Sequence, residues 1–144
     1  MFCAAADETL GLHVFLFSGD EASDADFGAY VARLEALIAA PEHVSGSAVA
    51  VLIVDAGSPA PNAVWRQRIA EVGGRAPAGT AFALVSDSAL VRGVATAVQW
   101  LKPQPYARKT VGRFDDAVAW LETLRPGVGE RLHQLHANVR RQAA

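Results

Sequence analysis

Apolar positions in this chain fall into two rhythms, short continuous runs and stripes spaced by three and four. Residues 13–17 are aromatic and β-branched and end at Ser18, Gly19 and Asp20, which predicts a strand and a turn. Phe27, Tyr30, Val31, Leu34, Leu37 and Ile38 then recur at helical spacing. Ser23, with Asp26 three residues on, reads as the N-cap with an acid in the first turn, and Pro41 as the stop. Residues 48–54 are apolar throughout, the pattern of a central parallel strand covered on both faces. Pro61 stands where the next helix would begin, Val64, Trp65, Ile69 and Val72 continue it, and Gly73 and Gly74 end it. Residues 80–85 read as a third strand. Ser86, Asp87 and Ser88 cap a helix whose stripe is Leu90, Val91, Val94, Val98 and Leu101. Gly93 inside it costs about 1 kcal/mol relative to alanine, which predicts close packing against the sheet. Pro103 and Pro105 end that helix. Residues 106–111 form a more polar strand, as at a sheet edge. Asp115 or Asp116 opens a helix with Val118, Leu121 and Leu124. Residues 130–141 form a last helix with Leu132, Leu135 and Val139 on its stripe, and Arg140 and Arg141 near its C-terminus suit the helix dipole.

The order βαβαβαβα plus one helix predicts an α/β fold. The expected sheet is open, mainly parallel and four- or five-stranded, with helices covering it. The expected division is an N-terminal extension over 1–9, an α/β domain over 10–125 and a C-terminal helical tail over 126–144.

Composition narrows the class. The chain has 144 residues, 51% of them apolar and 19% charged, enough for one domain with a sizeable core. Its net charge of −2 gives no electrostatic footprint for nucleic acid or an anionic membrane. The longest apolar run, 48–54, is far short of the roughly 20 residues a membrane helix needs. Residues 1–8 carry no basic region and their apolar stretch stops at Asp7, unlike a signal peptide. The single Cys3 excludes an internal disulfide framework and suits a cytoplasmic location.

Candidate chemistry is sparse. Ligands of open parallel sheets bind beyond the carboxyl ends of the strands. Asp20, Asp55, Ser58, Ser86, Asp87 and Ser88 collect there. Caps and turns require the same residue types. No dinucleotide fingerprint, phosphate loop or G-x-S-x-G elbow is present. His133 and His136 share a helical face, which reads as a solvated surface; His13 starts a strand and His43 lies in a loop. No cofactor or metal is implied. Trp65, Trp100 and Trp120 fall on or beside apolar stripes, Trp100 being the one placed to be exposed.

The stretch from Ser88 through Trp100, Leu101 and Pro103, followed by Val111-Gly112-Arg113-Phe114-Asp115-Asp116-Ala117-Val118-Ala119-Trp120-Leu121, resembles the SpoIIAA-like (STAS-type) proteins of bacteria. The likeness covers about residues 10–125 as a pattern. It implies a mixed sheet with helices, no enzyme activity, and a regulatory or protein-interaction role with a protein partner, a homodimer included. In one branch, a serine after the central strand is phosphorylated by a partner kinase. Ser58 is the nearest hydroxyl here, but the usual D-S-S-G or D-S-T-G element is absent. A related branch is compared with lipid-transfer domains, which implies a small apolar or lipid-like ligand in a pocket between sheet and helices. A small hydrolase-like enzyme using the acids at the strand ends is the remaining alternative.

Overall fold

The computed structural model describes residues 1–40, 48–101 and 104–144. Its elements in chain order are β1 (Phe2–Asp7), β2 (Leu12–Phe17), α1 (Asp24–Ala39), β3 (Val49–Val54), α2 (Ala63–Gly73), β4 (Ala81–Val85), α3 (Ala89–Leu101), β5 (Ala107–Val111), α4 (Phe114–Leu124) and α5 (Gly129–Ala143). The sheet runs β1-β2-β3-β4-β5. β1 is antiparallel to β2, and the other neighbours are parallel. The fold is therefore the α/β arrangement expected, with five strands and β5 at an edge.

Each parallel strand reaches its neighbour through one helix. The side chains of α1, α2 and α3 join one core cluster with Phe15, Phe17 and Leu84, and those of α4 and α5 join the other with Val14, Val51 and Ala83. One sheet face thus carries the three crossover helices and the other carries the two C-terminal ones. Continuous apolar runs are required because both faces of β2, β3 and β4 are covered.

Both ends of the chain differ from the division expected. Residues 2–7 pair with β2 from Phe2↔Phe17 to Asp7↔Leu12. The turn that joins them uses Gly11 at φ 67°, a left-handed conformation favoured by glycine. α5 packs against β1 and β2, burying Leu132, Leu135 and Val139 in the core. Arg131 Nε donates to Asp7 Oδ2 at 2.7 Å and Gln142 Nε2 donates to the Ala4 carbonyl at 2.9 Å. The Arg131 hydrogen bond holds the Asp7 carboxyl below its usual range. Extension and tail together close one flank of the domain.

The caps are local chemistry made visible. Ser23 and Asp26 form a full capping box on α1. α2 begins from Asn62, whose side chain accepts from Trp65 N at 3.1 Å, one residue after the proline expected to open it. Gly74 follows α2 in right-handed geometry. Gly73 has another reason to be glycine: a Cβ there would stand 2.6 Å from Gln104 Oε1 and 3.4 Å from the Tyr106 hydroxyl. Pro41, His43, Lys102 and Pro103 lie outside the described residues.

Candidate functional site

The middle of a doubly covered sheet should be sealed, and on one face it is not. Leu52 of β3 and Phe82 of β4 are only half-buried. Above them is a cavity of about 120 Å³, between the sheet and α1, α2 and α3. Its walls are almost wholly apolar: Leu34 and Leu37 from α1, Ile69 from α2, and Val94, Ala95 and Val98 from α3. α3 makes its closest approach to α2; Val91 reaches the core beside Leu84, while Val94, Ala95 and Val98 stay half-buried over the cavity. Gly93 does not pack against the sheet as expected. It is exposed, and a Cβ added there would meet nothing within 4 Å. Outward from the same helix, Leu90 is 69% and Trp100 82% exposed.

The polar groups of this cavity gather at one end. The pairs Ala81↔Ala107 and Phe82↔Arg108 fix the register of β4 and β5. Thr80 and Tyr106, each one residue before Ala81 and Ala107, and Arg108 therefore share the cavity face near the amino ends of those strands. Thr80 is 3% exposed, and its hydroxyl has no hydrogen-bond partner among the described residues. Burial raises the Tyr106 phenol above its ordinary value and raises buried Tyr30 further, so both stay protonated at neutral pH.

The residues singled out at the carboxyl ends of the strands divide between caps, turns and a second cleft. Ser86 is buried and its Oγ accepts from Ser88 N at 3.2 Å; Ser88 Oγ accepts from Val91 N at 3.3 Å at the start of α3. Ser58 is 8% exposed and its hydroxyl donates to the Gly19 carbonyl at 2.8 Å, tying two loops together. Asp20 is exposed. Asp55 and Asp87 do line a cleft of about 290 Å³, on the opposite side of the sheet, with Arg113, Phe114, His136 and Arg140.

Sequence reasoning placed no histidine at that edge, because α5 was expected to be a tail. Folding α5 back brings His136 onto Phe114, with ring centroids 4.0 Å apart. Arg140 bridges the group: its Nη1 donates to Asp55 Oδ2 at 2.6 Å and its Nε to His136 Nε2 at 3.2 Å. Burial, then the Arg140 charge, hold the His136 imidazole below its ordinary value. The acid and the base are both engaged by one guanidinium, an arrangement that clamps α5 to the end of β3. His133 approaches Asp115 at 3.9 Å. Among the described residues no group of three or more His, Cys, Asp or Glu side chains could hold a metal ion, and no helix is long and apolar enough to cross a membrane.

The tryptophans serve different ends. Trp65 Nε1 donates to Asp24 Oδ1 at 2.8 Å, and its ring packs near Phe27. Trp120 packs against the core beneath α4. Trp100 stands in solvent, as its sequence position suggested. Compared with known proteins, the chain matches no family model, no curated protein and no solved structure, so the STAS-type resemblance rests on sequence pattern alone.

Proposed function

We propose that this chain is a small-molecule binding domain that takes an apolar or lipid-like ligand in the cavity between the sheet and α1–α3. The observation that carries this reading is the uncovered middle of the sheet, where Leu52 and Phe82 reach empty space. An apolar void forfeits dispersion contacts. A sealed void of about 120 Å³ would cost on the order of 3 kcal/mol, and this one, open to solvent on one side, costs part of that. A ligand that fills the space recovers those contacts.

Methyl NMR during titration with toluene tests it. Shifts confined to Leu34, Leu52, Val94 and Val98, with Leu121, Leu132 and Val139 unmoved, are expected. Ala95→Phe, which fills the space from α3, should abolish them. No shifts, or shifts spread evenly over both faces, overturn the reading.

The regulatory, protein-docking role implied by the STAS-type resemblance is the second reading. Exposed Leu90 and Trp100 on α3 favour it in its homodimer form. The buried, engaged hydroxyl of Ser58 speaks against a phosphoswitch at that position. Sedimentation of the wild type and Trp100→Ala checks the dimer: a wild-type dimer that the variant dissolves supports it, and a monomer in both ends it.

A further inference from the structure

The cavity proposed above as a ligand site is not uniformly apolar, and its one polar end constrains what the ligand can be. Arg108 is the charged side chain lining it, placed on the cavity face of β5 by the register Phe82↔Arg108. Among the described residues it forms no ion pair. Thr80 supplies a buried hydroxyl without a hydrogen-bond partner among the described residues. Tyr106 adds a third polar side chain on the same face. The Arg108 guanidinium is half-buried, carries no ion pair among the described residues and is available to an anion, while a buried hydroxyl without a partner is costly. One anionic group that accepts hydrogen bonds would meet both.

We infer that the ligand of this cavity is a small carboxylic acid whose carboxylate meets Arg108, Tyr106 and Thr80 while its apolar body lies under α3. The inference rests on the ligand-binding reading above. Charge matching selects a monoanion. One guanidinium balances one carboxylate, whereas a doubly charged phosphate would leave a charge uncompensated beside apolar walls. Size selects the body. A cavity of about 150 Å³ in another protein accepts a benzene ring. The volume here is about 120 Å³, and the cavity opens to solvent past half-buried Val94, Ala95 and Val98, so one ring or a short branched chain can lie inside with its polar end at the rim. The electrostatics agree with the geometry, because both Tyr30 and Tyr106 feel the Arg108 charge and both remain protonated donors.

Calorimetric titration with 3-phenylpropionate and with 3-phenylpropionamide, a neutral probe of the same shape, separates head from body. The wild type should prefer the acid at least tenfold. Arg108→Gln should lose that preference while keeping its affinity for the amide, which also shows that the variant is folded. Thr80→Val should lower acid affinity severalfold. If Arg108→Gln loses the amide as well, Arg108→Lys decides: a retained preference for the acid supports the inference and its loss overturns it. Equal binding of acid and amide by the wild type overturns the acidic ligand and leaves the cavity reading standing. If the acid, the amide and toluene all fail to bind, both readings fall together.

Discussion

The two faces of this sheet are built from the same five strands and are filled in opposite ways. On the face under α4 and α5, the strands in this cluster bring no rings, only aliphatic residues such as Val14, Val51 and Ile53 with the small Ala5, Ala81 and Ala83 among them, and α4 adds Ala117. Helix backbones can then come close to the strands, and they do: α5 meets β1 and β2, and α4 meets β3, β4 and β5. On the other face the residues near β2 are rings. Tyr30 of α1 stands edge-on to Phe15 and Phe17, each at 5.6 Å between centroids. These rings hold α1 away from the sheet and fill the space beside β2. Toward β4 and β5 the rings are Phe82 and Tyr106, edge-on at 6.2 Å, α3 lies closest to α2, and the cavity opens over them. High apolar content therefore does not by itself give a sealed core. Side-chain size along each face decides how closely a helix can approach.

The largest expected effects come from removing matched volume on the two faces. Leu132 on α5 is completely buried, so Leu132→Ala should cost about 2–5 kcal/mol. Leu52 already borders empty space, so Leu52→Ala should cost less than half as much by the same urea titration. Equal losses would break the comparison.

Adding volume should reverse the asymmetry. Ala83 is fully buried between strand and helix, and Ala83→Leu should cost about 1–3 kcal/mol through overpacking. Ala95→Leu enters the cavity and should be neutral or stabilising. Gly93→Ala on the outward side of α3 should stabilise by up to about 1 kcal/mol, since a Cβ there meets nothing. Thermal melts of the three variants check these signs.

Much of the architecture was legible because periodicity reports burial directly. The run 48–54 and the stripes of α1, α4 and α5 needed no tertiary knowledge. β1 was not legible. Cys3, Ala4, Ala5 and Ala6 have little strand preference and take strand form because β2 offers an edge and α5 covers it. The cavity was legible only as an abundance of apolar residues. Its location depends on α3 standing off the sheet, which no local pattern encodes; Gly93 hinted at close packing and proved to face open space. Its polar end was missed for a different reason. Arg108 and Tyr106 sit near the amino end of an edge strand, where their polarity reads as ordinary exposure, while attention falls on the carboxyl ends. There the serines of 86 and 88 did act as caps. His136 reached Asp55 only through Arg140, across a long separation in sequence.

The smallest expected effect lies at the rim of the face under α4 and α5, and its sign follows from linkage. His136 is held below its ordinary value first by burial, then by the positive charges of Arg140 and His133, which outweigh Asp115 and Asp55. The unfolded chain takes up this proton near pH 6.5, and the folded chain only at lower pH. Between those two values the unfolded state binds more protons, so stability rises with pH through that window. Acidification from neutrality therefore weakens the domain until the folded imidazole is itself protonated, below which this contribution changes no further. Carboxylates with lowered values, Asp7, Asp26 and Glu122, add their own loss only at more acid pH. His136→Gln should remove the slope just below pH 6.5 and leave the acid limb intact. Ala95→Leu, on the opposite face, should retain the slope of the wild type. A wild-type curve that is flat across that window, or a His136→Gln curve as steep as the wild type, would show that folding does not desolvate the His136 imidazole against Phe114 and Arg140 as the packing indicates.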